Sequence, residues 1–421
     1  MTDPALAPPS RFAHTLYGLR VLAMRPFMRA WGRATDERHR ILARATDAPV
    51  ARGGGPDPDR ILLVGNDFGV SAAVRTHDLA LTGQVARTLA AATGRGTDVE
   101  ARTGPAVTME TMHGLLHDVR LWRYDAIVIL SGVADAARLT PERRWRRSLT
   151  ALLDDVLERS SVSTQILVMG TQPLRSVGSF TGRPAAIADR HAIVLNAATE
   201  SVCESRPRVL YRRLPAPSGP PGRLGSRGAL IFNEWADSIA TALAPRLSAG
   251  PPTQGSARSR RSQAEPEDER QRAVDAMGLL PGTANERLNR ITELARNLYR
   301  TSLATITVLD HDRQVHYSKV GMDREELPRA DSVCDHTIRS DGASVYGDLW
   351  QDEHFKHIEA LRDDPPIRFY AGYPIESPDG YRIGSLCVMD GEPRDASQVD
   401  PAPLRDLAML VQKQLWADRQ D

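Results

Sequence analysis

The sequence predicts two domains of different class: a three-layer α/β domain with a parallel sheet, followed by an α+β domain with an antiparallel sheet. The chain has 421 residues, which is too long for one ordinary domain. In its first half, apolar strand patterns alternate with helical patterns, as in parallel sheets that are covered on both faces. In its second half, strand patterns follow one another across short turns between two helical patterns, as in α+β domains.

Composition sets the predicted boundaries. Residues 246–270 are rich in Pro, Ser, Gly and charge and hold almost nothing to bury, so they favour a flexible linker. The stretch "ARGGGPDPDR" (51–60) is also typical of a linker. The predicted organisation is a basic, partly helical arm (1–56), an α/β domain (57–247), a linker (248–270) and an α+β domain (271–421).

The α/β domain is predicted to hold five strands and five helices. Apolar runs predict strands at 61–65, 97–102, 124–132, 164–170 and 208–214. Helical patterns lie near 78–92, 108–118, 141–159, 184–204 and 229–246. Ligands of such sheets bind beyond the carboxyl ends of the strands. The residues at those ends predict a polar binding cleft formed by Asn66, Asp67, Gly104, Ser131 and Gln172.

The α+β domain is predicted to begin with a helix at 284–299. Two strand patterns follow, "ATITVLD" and "QVHYSKV", with the hairpin spacing Asp310–Arg313 between them. Two more, "IRFYAGYPIE" and "YRIGSLCVMD", are joined by the turn "SPDG". The last helix carries one apolar face, formed by Leu404, Leu407, Ala408, Val411 and Leu415.

Charge and cysteine content exclude several functional classes. The net charge of +1 gives no reason to expect nucleic-acid binding. Three Cys cannot form a disulfide framework, which favours the reducing cytoplasm. No run approaches 18 uncharged apolar residues, so no membrane span is expected, and arginines interrupt the N-terminal apolar stretch where a signal peptide would be continuous.

The N-terminal arm carries a local excess of positive charge. Residues 11–44 hold eight Arg against Asp36 and Glu37, interleaved with apolar residues. This pattern is typical of a basic amphipathic helix and predicts a weak contact with an anionic membrane surface. The alternatives are a helix that packs on its own domain and a disordered arm.

The first domain resembles the SGNH (GDSL-type) hydrolases over residues 57–247. The resemblance rests on "VGNDFG" after the first strand, Gly104 after the second, "SGVADAARLTP" after the third and "WADSIA" at 235–240. "HDLALTG" and "RYDAIVIL" are similar to actinobacterial members of that superfamily. The resemblance implies a flavodoxin-like α/β fold and Ser-His-Asp acyl transfer, with a backbone N–H, a Gly and an Asn binding the oxyanion.

The catalytic residues of that family do not carry over to this sequence. The nucleophilic Ser falls on Asp67, the oxyanion Gly on Gly104 and the oxyanion Asn on Ala134. The stretch 213–230, where the His and its Asp should stand, contains neither. The resemblance therefore implies a pseudoenzyme with a cleft that can still bind.

A non-standard hydrolase is the alternative interpretation. Asp67 could act as a carboxylate nucleophile, or Ser71 could replace the lost Ser. The histidines of this domain are expected in helices and not on a base-presenting loop; they are His77, His113, His117 and His191. Whether the chain is an enzyme stays open, with the non-catalytic interpretation favoured.

The second domain resembles a GAF domain along its whole length. The entry helix "RAVDAMGLLPGTANERLNRITELARNLY", the hairpin "ITVLDHDRQVHYSKVGM", the motif "SVCDHTI" and the block "IRFYAGYPIESPDGYRIGSLCVMDGEPR" carry the resemblance. GAF domains bind small molecules such as cyclic nucleotides, tetrapyrroles, haem or metabolites, or they dimerise and regulate. The resemblance implies a ligand pocket and a homodimer. The predicted pocket residues are Cys334, His336, Tyr370, Tyr373 and Cys387.

Several pocket residues allow a second interpretation. Cys334 and Cys387 could be a thiol pair or a chromophore anchor, or simply small buried residues, as free Cys usually is. His336 could ligate haem or a metal, or be a partly buried histidine with a protein partner. "HDRQVH" and "DEHFKH" lack metal-site spacing, so no metal site is predicted, and the cofactor is unknown.

The sequence thus favours a cytoplasmic regulatory protein. Its GAF domain is expected to sense a small ligand or bind a protein partner, coupled to a degenerate SGNH-like binding domain. No kinase, cyclase, phosphodiesterase or helix-turn-helix pattern follows residue 418. Output is therefore expected to pass to another protein or to the first domain. A GAF-regulated esterase and a membrane-surface scaffold are the alternatives.

Overall fold

The computed structural model describes most of the chain. The described residues are 23–35, 45, 47–55, 57–66, 74–104, 107–130, 132–176, 180–214, 224–248, 266–279, 286–340 and 342–418. The chain splits into two compact units, unit 1 (Met1–Gly54 and Pro58–Pro251) and unit 2 (Gly55–Asp57 and Pro252–Asp421). None of the helices in the described part has the length and hydrophobicity of a membrane span.

Unit 1 contains a six-stranded sheet with helices. Its strands are β1 (Val50–Gly53), β2 (Asp59–Asn66), β3 (Thr97–Gly104), β4 (Ala126–Leu130), β5 (Gln165–Gly170) and β6 (Val209–Arg213). Its helices are α1 (23–35), α2 (Leu81–Thr93), α3 (Val133–Arg138), α4 (Glu142–Arg159), α5 (Gly182–Glu204) and α6 (Leu224–Leu247).

The sheet of unit 1 is mixed, with the order β1-β3-β2-β4-β5-β6. Strands β2 to β6 pair in parallel, and β1 pairs antiparallel with β3. The five parallel strands therefore follow one of the common orders of doubly wound sheets, and their order reverses between β2 and β4. This confirms the α/β class and the parallel strands predicted from the sequence.

Alternating burial explains why these apolar runs form strands between two helical layers. In β2, Leu62 and Val64 belong to one core cluster with side chains of α4 and α5, whereas Ile61 and Leu63 belong to another with α2 and α6. All four side chains are fully buried. A strand that is buried on both faces needs an uninterrupted apolar run, which is the pattern seen in the sequence.

One prediction for the N-terminal part needs correction, and one of the alternatives given for the arm is favoured. The stretch 51–60, predicted as a linker, contains β1 and the start of β2, because Ala51 packs into the core and Gly53 lets α2 approach closely. A Cβ at Gly53 would lie 2.1 Å from the Ala86 carbonyl oxygen. In the arm, the helical residues 23–35 bury Met28 in the core of unit 1, with Trp31 packed against it.

Unit 2 contains an antiparallel six-stranded sheet, which confirms the predicted α+β class. Its strands are β7 (Leu303–Asp310), β8 (Arg313–Val320), β9 (Glu326–Pro328), β10 (Ser344–Tyr346), β11 (Phe369–Glu376) and β12 (Arg382–Asp390), in the order β10-β11-β12-β7-β8-β9. Its helices are α7 (Glu267–Met277), α8 (Glu286–Tyr299), α9 (Val333–Thr337) and α10 (Ala402–Asp418).

The two faces of this sheet are covered differently. Helices α7, α8 and α10 pack on one face, where Tyr373 and Leu386 belong to the core cluster. The short helix α9 and the segment between β10 and β11 cover the other face, where Tyr370 and Cys387 are buried. We call these the helix face and the loop face. A cavity can form on the loop face because loops fill space less regularly than helices do.

The predicted linker 248–270 extends too far toward the C-terminus. Helix α7 begins at Glu267, with Pro266 as its N-cap residue. Arg270 is buried because its guanidinium donates to the Leu309 carbonyl at 2.6 Å and pairs with Glu267 at 2.7 Å. Hydrogen bonds from Arg270 and Arg329, working against burial, lower the pKa of Glu267 to about 2. These contacts fix the start of the helix on the sheet.

Gly65 allows β2 and β4 to lie side by side near the carboxyl edge of unit 1. A Cβ at this position would lie 2.2 Å from the Leu130 carbonyl oxygen. We expect Gly65→Ala to destabilise unit 1 by about 1–3 kcal/mol, because backbone would have to move. Gly114→Ala is the matched control, since a Cβ there meets nothing within 4 Å. Hydrogen exchange of β2 and β4 peptides in the full chain measures the difference, and equal protection in both variants would contradict it.

Candidate functional site

A cavity of about 250 Å³ lies on the loop face of unit 2. Its floor is formed by strand residues and α9, and its walls by the segments after β8 and before β11. The lining residues are Gln314, His316, Gly321, Met322, Asp323, Arg324, Leu327, Asp331, Val333, Cys334, Ala360, Leu361, Asp364, Pro365, Ile367, Tyr370 and Met389. Apolar walls with a few converging polar groups are typical of small-molecule sites.

The strand pattern places the polar floor. Gln314 and His316 are two positions apart in β8, so both side chains point to the loop face. Tyr370 of β11 and Met389 of β12 are direct partners in the antiparallel ladder and reach the same face. Gln314, His316 and Met389 are functional candidates that the sequence analysis missed. Their signal was present, because Gln314 and His316 alternate with apolar residues in the run "QVHYSKV".

The His316 ring is held by Thr305 beneath the floor. The Thr305 hydroxyl donates to the Ser318 carbonyl at 2.8 Å, and its oxygen lies 3.1 Å from His316 Nδ1. Because that hydroxyl proton is already used, we infer that Nδ1 carries the proton and donates to Thr305. The other ring nitrogen, Nε2, is then an acceptor that faces Gln314 at 3.5 Å.

The same chain of hydrogen bonds continues to α9. The Gln314 amide nitrogen faces His316, so its oxygen is left to accept from the Ser332 hydroxyl. Ser332 is the N-cap residue of α9 and accepts from the Asp335 N–H at 3.0 Å. The strand floor and the helix that covers it are therefore joined by one continuous set of polar contacts.

Burial keeps His316 neutral. Desolvation, with smaller contributions from the charges of Lys319 and Arg324, lowers the pKa of His316 to about 4. The negative charge of Glu325 raises the pKa of His316, but by less than burial and the two cations lower it. A neutral ring is what the hydrogen bonds require, because a doubly protonated ring could not accept from Gln314.

Two buried thiols lie next to the cavity. Cys334 of α9 and Cys387 of β12 have their Sγ atoms 3.7 Å apart, and the Tyr370 hydroxyl lies 3.5 Å from Cys334 Sγ. The Tyr370 hydroxyl also bonds Thr337 at 2.7 Å. On the far side, Cys387 Sγ lies 3.7 Å from the Thr305 carbonyl. The structure therefore brings together three of the five predicted pocket residues: Cys334, Tyr370 and Cys387.

The two thiols differ in acidity. Burial raises the pKa of Cys334, but hydrogen bonds from Cys387, Ser385, Thr307 and Tyr370 outweigh it and lower the value to about 7. Burial raises the pKa of Cys387 well above that of a free thiol, and the hydrogen bond that Cys387 donates to Cys334 raises it further. The hydrogen-bond donors around Cys334 thus favour its thiolate form, in opposition to its burial.

His336 and Tyr373 do not line this cavity. The His336 ring is exposed and stacks edge-on against Phe355, with 4.7 Å between ring centroids. Tyr373 is an odd number of positions from Tyr370 in the same strand, so it points to the helix face and packs in that core. This parity is readable in the sequence and separates the two tyrosines.

One group of residues in the described part of the chain could surround a metal ion, namely Asp275, Asp310 and His311. Both carboxylates already accept from Gln271 Nε2, at 2.8 and 2.9 Å. Arg313 also donates to Asp310 at 2.9 Å. The acidic oxygens are therefore engaged by protein donors, and we assign no metal to this group.

In unit 1, the carboxyl edge of the sheet brings the predicted cleft residues to one side. Asn66 ends β2, Gly104 ends β3 and Gln172 follows β5. Gln172 is 2% exposed, and among the described residues no donor reaches its Oε1. Asp67, Ser71 and Ser131 lie outside the described residues.

The position expected for the oxyanion Asn holds Ala134, and the next residue is a buried acid. Asp135 accepts from the Met109 N–H at 2.9 Å and from the Thr140 hydroxyl at 2.7 Å. Burial is the main cause of its raised pKa, which these hydrogen bonds only partly counter. Asp135 thus holds the segment after β3 against α3.

The histidines of unit 1 have structural contacts. His191 lies in α5, where its Nε2 donates to the Thr140 carbonyl at 2.7 Å. His77, predicted in a helix, lies in a turn before α2, because Asp47 accepts from both its backbone N–H and its ring Nδ1 at 2.9 Å. His113 lies in a short 3-10 helix (Met112–Leu115), and His117 lies in the turn after it.

Known proteins are similar to part of this chain. No protein-family model matches it. A stretch of 147 residues is 40% identical to a cyclic di-GMP phosphodiesterase of Pseudomonas aeruginosa. That stretch is 34% of this chain, and the chain spans about a quarter (24%) of the relative's length.

Solved structures similar to about a third of the chain include GAF domains. The GAF domain of an Acinetobacter phosphoenolpyruvate-protein phosphotransferase is 14% identical, with 37% of this chain and 92% of that chain covered and a TM-score of 0.26. A free methionine-R-sulfoxide reductase from Neisseria meningitidis is 19% identical, with 38% and 95% covered and a TM-score of 0.27.

The neutral state of His316 predicts a pH dependence of stability. Its folded pKa lies below the value of about 6.5 for an unfolded chain, so this stabilisation is complete above pH 6.5 and is lost as the pH falls toward 4. We expect unit 2 to lose about 2 kcal/mol between pH 7.5 and 5 from this residue. His316→Gln keeps a donor and an acceptor but does not titrate.

The measurement is the free energy of opening of β7 and β8, from hydrogen exchange of full-length protein and of His316→Gln at both pH values. Groups that titrate elsewhere contribute equally to both proteins. The difference between them should therefore grow as the pH falls. A difference that does not change with pH would show that His316 is not kept neutral by its site.

Proposed function

We propose that this chain is a regulatory signalling protein whose unit 2 is a GAF domain that binds a small molecule in the loop-face cavity. The observation that carries the proposal is the cavity of about 250 Å³, with apolar walls above a buried polar floor. The motifs "SVCDHTI" and "GSLCVMD" that resemble GAF domains contribute residues to this floor. The similarity to a cyclic di-GMP phosphodiesterase supports a signalling role.

The charge of the cavity favours a neutral or cationic ligand. Asp323, Asp331 and Asp364 line it, against a single lining cation, Arg324, which pairs with Asp363 at 2.9 Å. A ligand with two phosphates would meet this acidic rim unfavourably. On the floor, Gln314, His316 and Tyr370 are the polar side chains that would orient a neutral or cationic ligand.

Unit 1 is, in this proposal, an SGNH-like domain that binds but does not catalyse. Ala134 cannot supply the amide donor that the family uses for its oxyanion. The buried Gln172 places a polar side chain at the carboxyl edge of the sheet, where ligands of doubly wound sheets bind. A cytoplasmic location is part of the proposal, because the three Cys are buried free thiols.

Native mass spectrometry of the full-length protein, purified without added ligand, tests the cavity. We expect a retained mass above the chain mass, which is lost in Ala360→Trp because the indole ring fills the cavity. Ala360 is part of the wall, whereas the neighbouring Glu359 is exposed and does not line it. Glu359→Trp is therefore the matched control and should keep the ligand.

Loss of the extra mass in both variants, or in neither, would place the ligand elsewhere. A clean chain mass in the wild-type protein, with a dimer present, would favour a protein-interaction role for unit 2. Its exposed leucines on α8 and α10, namely Leu294, Leu298 and Leu410, are then the side chains to change in a test for homodimers.

The esterase alternative makes a separate prediction. Without the Asn and His of the family, we expect the full-length protein to hydrolyse a small acyl ester no faster than buffer does. Asp67→Ala and Ser71→Ala should therefore leave the measured rate unchanged. Hydrolysis above the buffer rate that either substitution abolishes would overturn the non-catalytic assignment of unit 1.

The membrane-scaffold alternative is weakened by the packing of the helical residues 23–35. Met28 is fully buried, and Met24 and Trp31 pack against the core of unit 1. Three apolar side chains that a surface helix could insert into lipid are thus used within the protein, whereas Phe27 of the same helix is exposed. Sedimentation with anionic vesicles of the full chain and of a variant that lacks residues 1–22 tests for membrane binding. Sedimentation of the full chain that the deletion abolishes would support the membrane scaffold.

A further inference from the structure

We propose that Cys334 and Cys387 form a peroxide-oxidisable dithiol, in which Cys334 is the sulfur that is oxidised first and Cys387 closes the disulfide. Nothing in the proposed ligand binding requires this chemistry, so it stands independently. The oxidants that would react with this dithiol are hydroperoxides.

The first support is the distance between the sulfurs. They lie 3.7 Å apart in the reduced protein, on α9 and β12, with both side chains buried. A disulfide needs about 2.0 Å, so the sulfurs must approach by about 1.7 Å. Cys334 is near the start of α9, a helix of five residues on the loop face, where a side-chain rotation meets less constraint than in a long helix.

The second support is the set of donors around Cys334. The Tyr370 hydroxyl lies 3.5 Å from its sulfur, and Thr307 and Ser385 form a hydroxyl pair 3.0 Å apart on the facing strands. Such donors stabilise a thiolate, which is the reactive form of cysteine. They also stabilise the hydroxide that a peroxide releases when its O–O bond breaks.

The third support is access. Cys334 is among the residues that line the cavity, whereas Cys387 is not. The lining runs from the exposed Asp323 and Asp364 to the buried Cys334 and Tyr370. A hydrogen peroxide molecule is little larger than water, so it reaches Cys334 through a space of about 250 Å³ without unfolding.

Cys203 provides an internal comparison. It is buried in α5 of unit 1 with 1% exposure and does not line this cavity. Burial raises its pKa to about 12, which leaves almost no thiolate at neutral pH. The chain therefore contains one thiol that is expected to stay reduced and two that are expected to react.

The chemistry is balanced in two steps. The Cys334 thiolate attacks one peroxide oxygen, an S–O bond forms as the O–O bond breaks, and the released hydroxide takes a proton and leaves as water. Cys387 then attacks the sulfur of the Cys334 sulfenic acid, the S–S bond forms as the S–O bond breaks, and the second hydroxide leaves with the Cys387 proton as water. Two thiols are oxidised as one peroxide is reduced.

The test uses the full-length protein treated with hydrogen peroxide, then unfolded, alkylated and digested for mass spectrometry. We expect only Cys203 to be alkylated and the Cys334 and Cys387 peptides to be joined, with both thiols restored by a phosphine reductant. Oxidation should be several-fold faster in the folded protein than in urea, because the donors exist only in the fold. This first experiment needs no variant.

Variants assign the two roles. Cys387→Ser should stop at a Cys334 sulfenic acid that dimedone traps, and Cys334→Ser should give neither product. Tyr370→Phe removes one donor and should slow oxidation several-fold, whereas Tyr373→Phe, in the same strand but on the helix face, should not. Three alkylated thiols after peroxide, equal rates in folded and unfolded protein, or trapping at Cys387 in Cys334→Ser would each overturn the proposal.

Discussion

The hydrogen bonds on the loop face of unit 2 depend on the tautomer of His316, which we infer from the contacts of Thr305. The Thr305 hydroxyl proton is committed to the Ser318 carbonyl, so the His316 ring must supply the proton of its own bond with Thr305. The other ring nitrogen then accepts, which orients the Gln314 amide and leaves its oxygen for Ser332. A charged His316 would reverse one of these bonds, so the neutral ring is a condition for the whole chain of contacts.

The two units bring polar side chains together by different geometric rules. In unit 1 the parallel strands end at one edge, so Asn66, Gly104 and Gln172 lie along the same edge although they are far apart in sequence. In unit 2 the antiparallel strands place alternate residues on one face, and the site lies on the face of the sheet and not at its edge. In both units the scaffold determines where the polar groups lie, and the residue types at those positions determine what they can bind.

The sequence predicted most of the long elements and missed the short strands, although the helix predicted near 108–118 is only the 3-10 helix Met112–Leu115 and the start of α7 was assigned to the linker. Apolar runs predicted β2 to β8, β11 and β12. The strands that were missed, β1, β9 and β10, have only three or four residues and little apolar pattern. Site prediction was incomplete for a different reason. Cys334 and Tyr370 come from recognisable motifs, whereas Gln314 and His316 lie in the predicted hairpin of β7 and β8, and its alternating pattern does not specify which face of the sheet bears a cavity.

The irregular pairing of β7 and β8 has a mechanical consequence. Thr307 faces His316 and Ile306 faces Ser318, so Tyr317 is an extra residue and the strand turns its side chains there. His316 consequently points into the cavity while Ser318 bonds Asn289 and Thr292 of α8, both at 2.8 Å, on the opposite side. One strand segment thus touches both the cavity floor and an outer helix, so a displacement of the His316 ring would be transmitted through Ser318 to α8.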